Sequence, residues 1–198
     1  MTEAPLEALG ADIDGDIHSL RPDLRVLAAG AAATALLSFV FLPLPTAIAS
    51  ALLGGLMIAG ADVDARVYLL PDIVTCGATL GGVLAAFFLT PEDPWRGVGF
   101  AILRALGAAL ALLALRGVHL RLRGVEGLGL GDVKLAAAIG AWLPLDRIPL
   151  CFALAASAAL ASVAVRASRS DVKTMRVPFG AYLCPALWLL YFAGALSA

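Results

Sequence analysis

The stretch GLGLGDVKLAAAIGAWL, residues 127–143, sets a charged, glycine-rich turn inside an almost wholly apolar chain. Of the 198 residues, 61% are hydrophobic and 15% are charged. Soluble globular domains are typically about half apolar and about a quarter charged. The composition therefore predicts a polytopic membrane protein, whose surroundings are the lipid bilayer.

Seven apolar runs are candidates for membrane-spanning helices, each of which needs ~20 mostly apolar residues. The run that follows the glycine turn is the shortest. Small residues recur in the runs and allow helices to pack closely. We predict an all-α membrane helix bundle of six to seven transmembrane helices over residues 24–198, with a cytoplasmic acidic tail at residues 1–23. The seven runs are Leu24–Leu42, Thr46–Gly60, Ile73–Thr90, Val98–Leu115, Val133–Leu143, Ile148–Val165 and Val177–Leu196.

Lysine and arginine residues are concentrated at alternate ends of these runs. Basic loops tend to stay in the cytoplasm, so the amino terminus and the glycine turn are expected on the cytoplasmic side and the carboxyl terminus outside. The opposite loops hold only Arg96 and Arg147. The basic side carries Arg21, Arg25, Arg66, Arg116, Arg121, Arg123, Arg166, Arg169, Lys173 and Arg176.

Aspartates from two distant segments are expected at this same membrane face. Asp62 and Asp64 lie at the end of the second run, and Asp132 lies in the glycine turn. Carboxylates beside hydrocarbon are costly and are usually functional. Two carboxylates held close together share a proton. The ionised one can then activate water while the protonated one donates to a carbonyl oxygen, which is a route to peptide hydrolysis.

Each of these aspartates also has a simpler interpretation. Asp132 could cap the fifth helix, and Asp72, after Pro71, could cap the third. Asp62 or Asp64 could be a solvated residue at a helix end. Taken one at a time, these structural roles are at least as plausible as a catalytic one.

Other classes of function have little support in the sequence. The net charge of −1 gives no indication of a nucleic-acid partner. The two histidines are far apart in sequence, and the three cysteines form no C-x-x-C pair. We therefore expect neither a metal site nor a cofactor.

Three separated stretches resemble the type IV prepilin peptidase family, whose members are membrane aspartyl proteases with a G-x-G-D motif. The first is Asp64, the intervening ARVYLLP, and then Asp72. The second is EGLGLGDVKLAAAIGAWL, residues 126–143, and the third is VPFGAYL, Val177–Leu183. The order and spacing of the three are more specific than G-x-G-D alone.

The resemblance implies that Asp64 and Asp132 are the catalytic pair, with Asp62 as the competitor for the first role. It also implies a substrate, a prepilin or pseudopilin with a short basic leader, and makes contact with pilus assembly machinery possible. Bifunctional members carry paired cysteines near the amino terminus. The chain has no counterpart to these cysteines, so it is expected to be of the short, peptidase-only form. Supporting or substrate-binding roles fall on Gly129, Gly131, Lys134, Glu126, Pro71, Asp72, Pro178 and Gly180.

Two other functions remain open. A proton-coupled or ion-coupled transporter would use the carboxylates as ion sites, but it would favour acids near the middle of the bilayer. A catalytically inert scaffold of a pilus or secretion machine would keep the fold without the reaction. The expected location for the favoured peptidase is the cytoplasmic membrane, with several spans and the active site facing the cytoplasm.

Overall fold

The computed structural model describes residues 22–124, 129–167 and 177–197, and every regular element in these ranges is an α-helix. Glu126 and all but the last two residues of the acidic tail lie outside them, so the division of the chain at residue 23 stays a prediction. The helices are α1 (Leu24–Phe41), α2 (Leu44–Val67), α3 (Asp72–Leu89), α4 (Pro94–Arg123), α5 (Leu130–Trp142), α6 (Ile148–Ala167) and α7 (Phe179–Leu196).

Six of the seven helices are long and apolar enough to cross a membrane. The exception is α5, which has 13 residues and is therefore ~20 Å long at 1.5 Å per residue. That is shorter than the ~30 Å hydrocarbon core. The prediction of an all-α bundle with six to seven transmembrane helices is confirmed, and the chain is a multi-pass membrane protein.

One helix boundary differs from the sequence prediction in a way that matters for the site. The predicted second run ends at Gly60, whereas α2 continues to Val67. Charged residues end the apolar run but not the helix, and Arg66 pairs with Asp62 one turn earlier at 2.7 Å. The C-cap of α2 is Tyr68, which has a left-handed backbone with φ 57°. Asp64 is therefore a residue of the last helical turn and not of a loop.

The short helix α5 packs against α3 and α4, while α2 packs against α1 and α7. Small residues bring these helices close together. A Cβ atom on Gly82 would lie 2.7 Å from the Cβ of Ala141, and one on Gly140 would overlap the backbone carbonyl of Arg104. The indole N–H of Trp142 donates to the carbonyl of Ala78 at 2.7 Å. Helix α5 is thereby fixed inside the bundle, with its first turn beside the last turn of α2.

Candidate active site

The ends of three helices, α2, α3 and α5, meet at one end of the bundle and line a cavity of about 270 Å³. Both Asp64 and Asp132 line it, although 68 positions separate them in the sequence. The predicted juxtaposition of the two segments is therefore present in the structure. The remaining lining residues are Tyr68, Leu69, Leu70, Asp72, Gly129, Leu130, Gly131 and Lys134.

Asp64 is a buried carboxylate, with 6% of its surface exposed. Its Oδ2 accepts a hydrogen bond of 2.7 Å from the backbone N–H of Ala181, in the first turn of α7. The positive end of the α7 dipole adds to this stabilisation of a negative charge. Asp64 is not the solvated helix-end residue that the sequence left open.

Asp132 is half-buried in the first turn of α5. Burial, and secondarily the charge of Asp64, raise the pKa of Asp132 to about 6, while a hydrogen bond from the backbone of Gly129 opposes this rise. The influence of Asp64 on this pKa means that the two carboxylates are electrostatically coupled. At a neutral or mildly acidic pH, a single proton can therefore be shared within the pair.

Asp62 makes its contacts away from this cavity. Its carboxylate pairs with Arg66 at 2.7 Å and accepts the backbone N–H of Asp23 at 2.7 Å. It does not line the cavity that contains Asp64 and Asp132. The geometry therefore favours Asp64 over Asp62 as the partner of Asp132.

The two helix caps that the sequence left open, Asp72 for α3 and Asp132 for α5, have different outcomes. The N-cap of α3 is Pro71 and no side chain caps it, so Asp72 does not serve as an N-cap. The N-cap of α5 is Gly129, and Asp132 lies three positions later. The hydrogen bond from the Gly129 backbone to Asp132 resembles one half of a capping box. Asp132 therefore supports the start of α5 while also facing the cavity.

Gly131 and Gly180 leave room for the side chain of Leu70 beside the carboxylates of Asp64 and Asp132. A Cβ on Gly131 would lie 3.0 Å from the Cβ of Leu70. A Cβ on Gly180 would lie 2.7 Å from Leu70 Cδ1 and 2.9 Å from the Asp64 carboxyl carbon. A larger residue at Gly180 would force a neighbouring side chain to move, and one at Gly131 would make a tight contact with Leu70.

Lys134 and Asp72 form an ion pair of 2.5 Å at the mouth of the cavity. The pair connects the first turn of α5 to the first residue of α3. Both side chains are largely exposed, so the pair contributes little to stability. The pair instead holds the starts of α3 and α5 in a fixed position relative to each other, beside Asp64 and Asp132.

The other predicted site residues occupy helix starts or lie outside the described ranges. Pro178 is buried and is the N-cap of α7, one residue before the helix that carries Gly180. Pro71 ends the turn that brings Leu70 to the cavity. Glu126 lies outside the described residues.

Sequence reasoning did not identify Tyr68, Leu70 or the amide of Ala181 as parts of the site. Leu70 carried a weak signal, because a pair of leucines stands between charged residues and Pro71 at the membrane edge. The contact of Ala181 with Asp64 joins positions 117 residues apart, and no local pattern indicates it. In the described ranges, no three histidine, cysteine, aspartate or glutamate side chains are grouped as they would be to hold a metal ion.

Comparison with known proteins identifies the family of this chain. The model of the type IV leader peptidase family matches residues 51–164, which include Asp64 and Asp132. The chain belongs to this family. The matched region contains the whole of α3, α4 and α5, so the similarity to the family extends well beyond the G-x-G-D motif.

Several relatives are named prepilin leader peptidase/N-methyltransferase. One from Aeromonas hydrophila is 31% identical over 74% of this chain and 50% of its own length. One from Burkholderia pseudomallei (strain 1026b) is 32% identical over 82% of this chain and 52% of its own length. This family member therefore spans about half the length of the curated relatives that it matches. No solved structure gives a significant match.

Proposed function

We propose that this chain is a membrane-embedded aspartyl endopeptidase that removes the short leader of a prepilin or pseudopilin-like protein. The observation that carries the proposal is the cavity lined by both Asp64 and Asp132, in which the charge of one raises the pKa of the other. Membership of the leader peptidase family and the names of its relatives support the same reaction. The proposal concerns the peptidase activity alone.

The two carboxylates are assigned different starting roles. The raised pKa of Asp132 makes it the holder of the shared proton. Asp64 accepts an N–H hydrogen bond from the start of α7 and is the ionised partner. Asp64 takes a proton from water as the oxygen attacks the scissile carbonyl, and Asp132 donates its proton to the carbonyl oxygen. The tetrahedral species then collapses: its C–N bond breaks, the leaving amine takes the proton that Asp64 received from water, and Asp132 recovers a proton from one of the two hydroxyl groups.

The cavity mouth suits a peptide in an extended conformation. Gly129 and Gly131 line it and have no side chains to obstruct a substrate backbone. Leu70, between Gly131 and Gly180, lies where an apolar residue of the substrate would contact the enzyme. A prepilin has an apolar helix after its leader, so its cleavage point would reach the dyad at the membrane edge.

The same proposal places the active site on the cytoplasmic face of the cytoplasmic membrane. The arginine-rich ends of the spanning helices lie on the side of the two aspartates, which the positive-inside rule assigns to the cytoplasm. Substrate leaders are expected to be basic and to wait on that side. Attraction between a basic leader and the carboxylates would act within ~10 Å at moderate salt. Pilus assembly machinery is the expected destination of the product.

A cleavage assay in membranes tests this function. A prepilin is co-expressed with the wild type and with Asp64→Asn, Asp132→Asn and Asp62→Asn. The two cavity variants should leave the leader uncleaved, while Asp62→Asn, which changes a neighbouring aspartate outside the cavity, should cleave. Equal cleavage by all four proteins would assign the aspartates a structural role. Absence of cleavage by a folded wild type towards several prepilins would favour the inert scaffold.

A further inference from the structure

A second, larger cavity lies at the end of the bundle away from Asp64 and Asp132 and has a volume of about 440 Å³. Its walls are the second half of α3, the first part of α4 and the end of α5, with Tyr191 of α7. Asp132 lies at the start of α5 and Trp142 of this cavity at its end, so the two cavities are ~15 Å apart along that helix. The peptidase proposal uses none of these residues.

Arg104 is a charged residue of this cavity inside a membrane-spanning helix. It lies ten residues from the start of α4, which is ~15 Å into the helix. Its Nε donates to the carbonyl of Gly140 at 3.2 Å, the one hydrogen bond that the guanidinium makes within the described part of the chain. A guanidinium has five donors, and at this depth an unmet donor is costly.

Tyr191 supplies a second polar group to the same cavity. Its hydroxyl oxygen is buried and has no hydrogen-bond partner among the described residues. The ring packs edge-on against Trp142, with the centroids 4.9 Å apart. Buried hydroxyls are nearly always hydrogen-bonded. Arg104 and Tyr191 together therefore present donors for an acceptor with several oxygens.

An apolar groove of about 530 Å³ begins where this cavity ends. It runs between α4 and the start of α6, and it shares Phe100 and Arg104 with the second cavity. Apart from Arg104, its lining residues are all apolar or glycine, among them Leu103, Ala111 and Ile148. A cavity with four charged residues that continues into an apolar groove at an arginine matches an amphipathic molecule with an anionic group between its two parts.

The charged residues of the second cavity follow an order from its inner end to its outer end. Arg104 is deepest, Arg96 lies two turns earlier on α4 with its guanidinium 5.6 Å from the Phe100 ring centroid, and the exposed Glu92 and Asp93 are outermost. Asp93 also caps α4 by accepting the backbone N–H of Arg96 at 3.1 Å. A ligand whose anionic group lies near Arg104 and whose cationic group lies near Glu92 and Asp93 would complement this order.

We propose that the two cavities form one binding site for a glycerophospholipid whose headgroup carries a phosphate and a primary ammonium, as in phosphatidylethanolamine. The phosphate oxygens accept from the guanidinium of Arg104, with Tyr191 and Arg96 as further donors. The ammonium faces Glu92 and Asp93. One acyl chain lies in the apolar groove, where it buries surface that the helices leave open.

Lipid-dependent thermal stability of the purified full chain tests this site. The probes are phosphatidylethanolamine, phosphatidylcholine and phosphatidylglycerol with identical acyl chains, and free phosphoethanolamine without chains. Phosphatidylethanolamine should raise the melting temperature most, and native mass spectrometry should show one molecule retained. An equal rise with free phosphoethanolamine would overturn the assignment of the groove, and a preference for phosphatidylglycerol would overturn that of the ammonium.

Two variants connect the effect to named groups. Arg104→Gln should weaken phosphatidylethanolamine binding at least about tenfold, because hydrogen bonds to a charged group are lost. Tyr191→Phe keeps the ring packing and removes one hydroxyl, so it should fold normally and bind several-fold more weakly. Arg66→Gln, at the opposite end of the bundle, is the control for charge and should bind as the wild type does. Wild-type binding by both Arg104→Gln and Tyr191→Phe would overturn the proposal.

Discussion

The carboxylate of Asp64 and the backbone amide of Ala181 are joined by a hydrogen bond of 2.7 Å that connects the end of α2 to the start of α7. The contact fixes the orientation of a buried carboxylate within one turn of a helix amino terminus. The N–H donor stabilises the ionised form of Asp64, whereas burial of the carboxylate opposes ionisation. In the proposed reaction it also keeps Asp64 aimed at the cavity that it shares with Asp132.

Replacing Gly180 with alanine should disrupt this arrangement. The new Cβ would lie 2.9 Å from the Asp64 carboxyl carbon and 2.7 Å from Leu70 Cδ1, so the carboxylate must shift. A displacement near 1 Å can cost roughly 100-fold in rate, and prepilin cleavage should fall by about that factor. Gly55→Ala in α2, where a Cβ meets no atom within 4 Å, is the matched control. Full activity of Gly180→Ala would contradict the close approach seen here.

The ion pair between Lys134 and Asp72 should affect cleavage more than stability. Its side chains are 46% and 70% exposed, so its loss should change the free energy of unfolding by about 1 kcal/mol or less. Lys134→Asp and Asp72→Lys, each alone, should reduce cleavage by separating the starts of α5 and α3. The double exchange restores opposite charges and should recover part of the rate. Failure of the double variant to exceed either single variant would argue against the pairing.

The raised pKa of Asp132 predicts a pH-dependent stability. Its pKa is about 6 in the folded chain against an ordinary 3.8, so the folded state binds this proton more tightly. The resulting stabilisation is complete below the ordinary pKa and is lost as the pH rises through the folded value. Asp132→Asn removes the ionisation and should melt at a higher temperature than the wild type at about pH 8, but not at about pH 4.

Melting curves in detergent at the two pH values check this expectation, with Asp62→Asn as the control outside the cavity. A difference between Asp132→Asn and wild type that is the same at both pH values would mean that its origin is not the ionisation of this carboxylate. A lower melting temperature for Asp132→Asn at the higher pH would reverse the predicted sign.

Labelling from one side of the membrane tests the proposed orientation. Leu69 is exposed and lines the cavity mouth, so a cysteine placed there reports which face carries the site. The three native cysteines are first replaced. An impermeant maleimide should label Leu69→Cys only in inside-out vesicles, and Leu145→Cys, exposed in the loop after α5, only in right-side-out cells. The reverse pattern would place the aspartates outside the cytoplasm.

The positions of the six long helices could be predicted because their apolar runs are long enough to be recognised by composition alone. The end of α2 could not be predicted. Asp62, Asp64 and Arg66 interrupt the apolar run, but the helical backbone continues to Val67 because such residues are tolerated at the membrane edge. The motif spacing selected Asp64 over Asp62 from sequence, and the geometry of the cavity supports the same choice.

The features that could not be predicted from the sequence depend mostly on contacts between residues far apart in the chain. The insertion of Leu70 between Gly131 and Gly180 depends on how three helix ends converge. The left-handed backbone of Tyr68 is uncommon for a residue with a side chain, and nothing nearby predicts it. Arg104 lies inside the fourth apolar run, Val98–Leu115. It contacts the carbonyl of Gly140, a residue of a helix too short to have given a strong signal.

The central claim is that Asp64 and Asp132 act as one catalytic unit, and double-variant kinetics test it most directly. Purified wild type, Asp64→Asn, Asp132→Asn and the double variant are compared for cleavage of one prepilin in the same detergent. If the proton is shared, each single change should abolish most of the rate, and the double variant should lose about as much as either single one. Losses that multiply, or a single variant that retains most of its rate, would contradict the dyad.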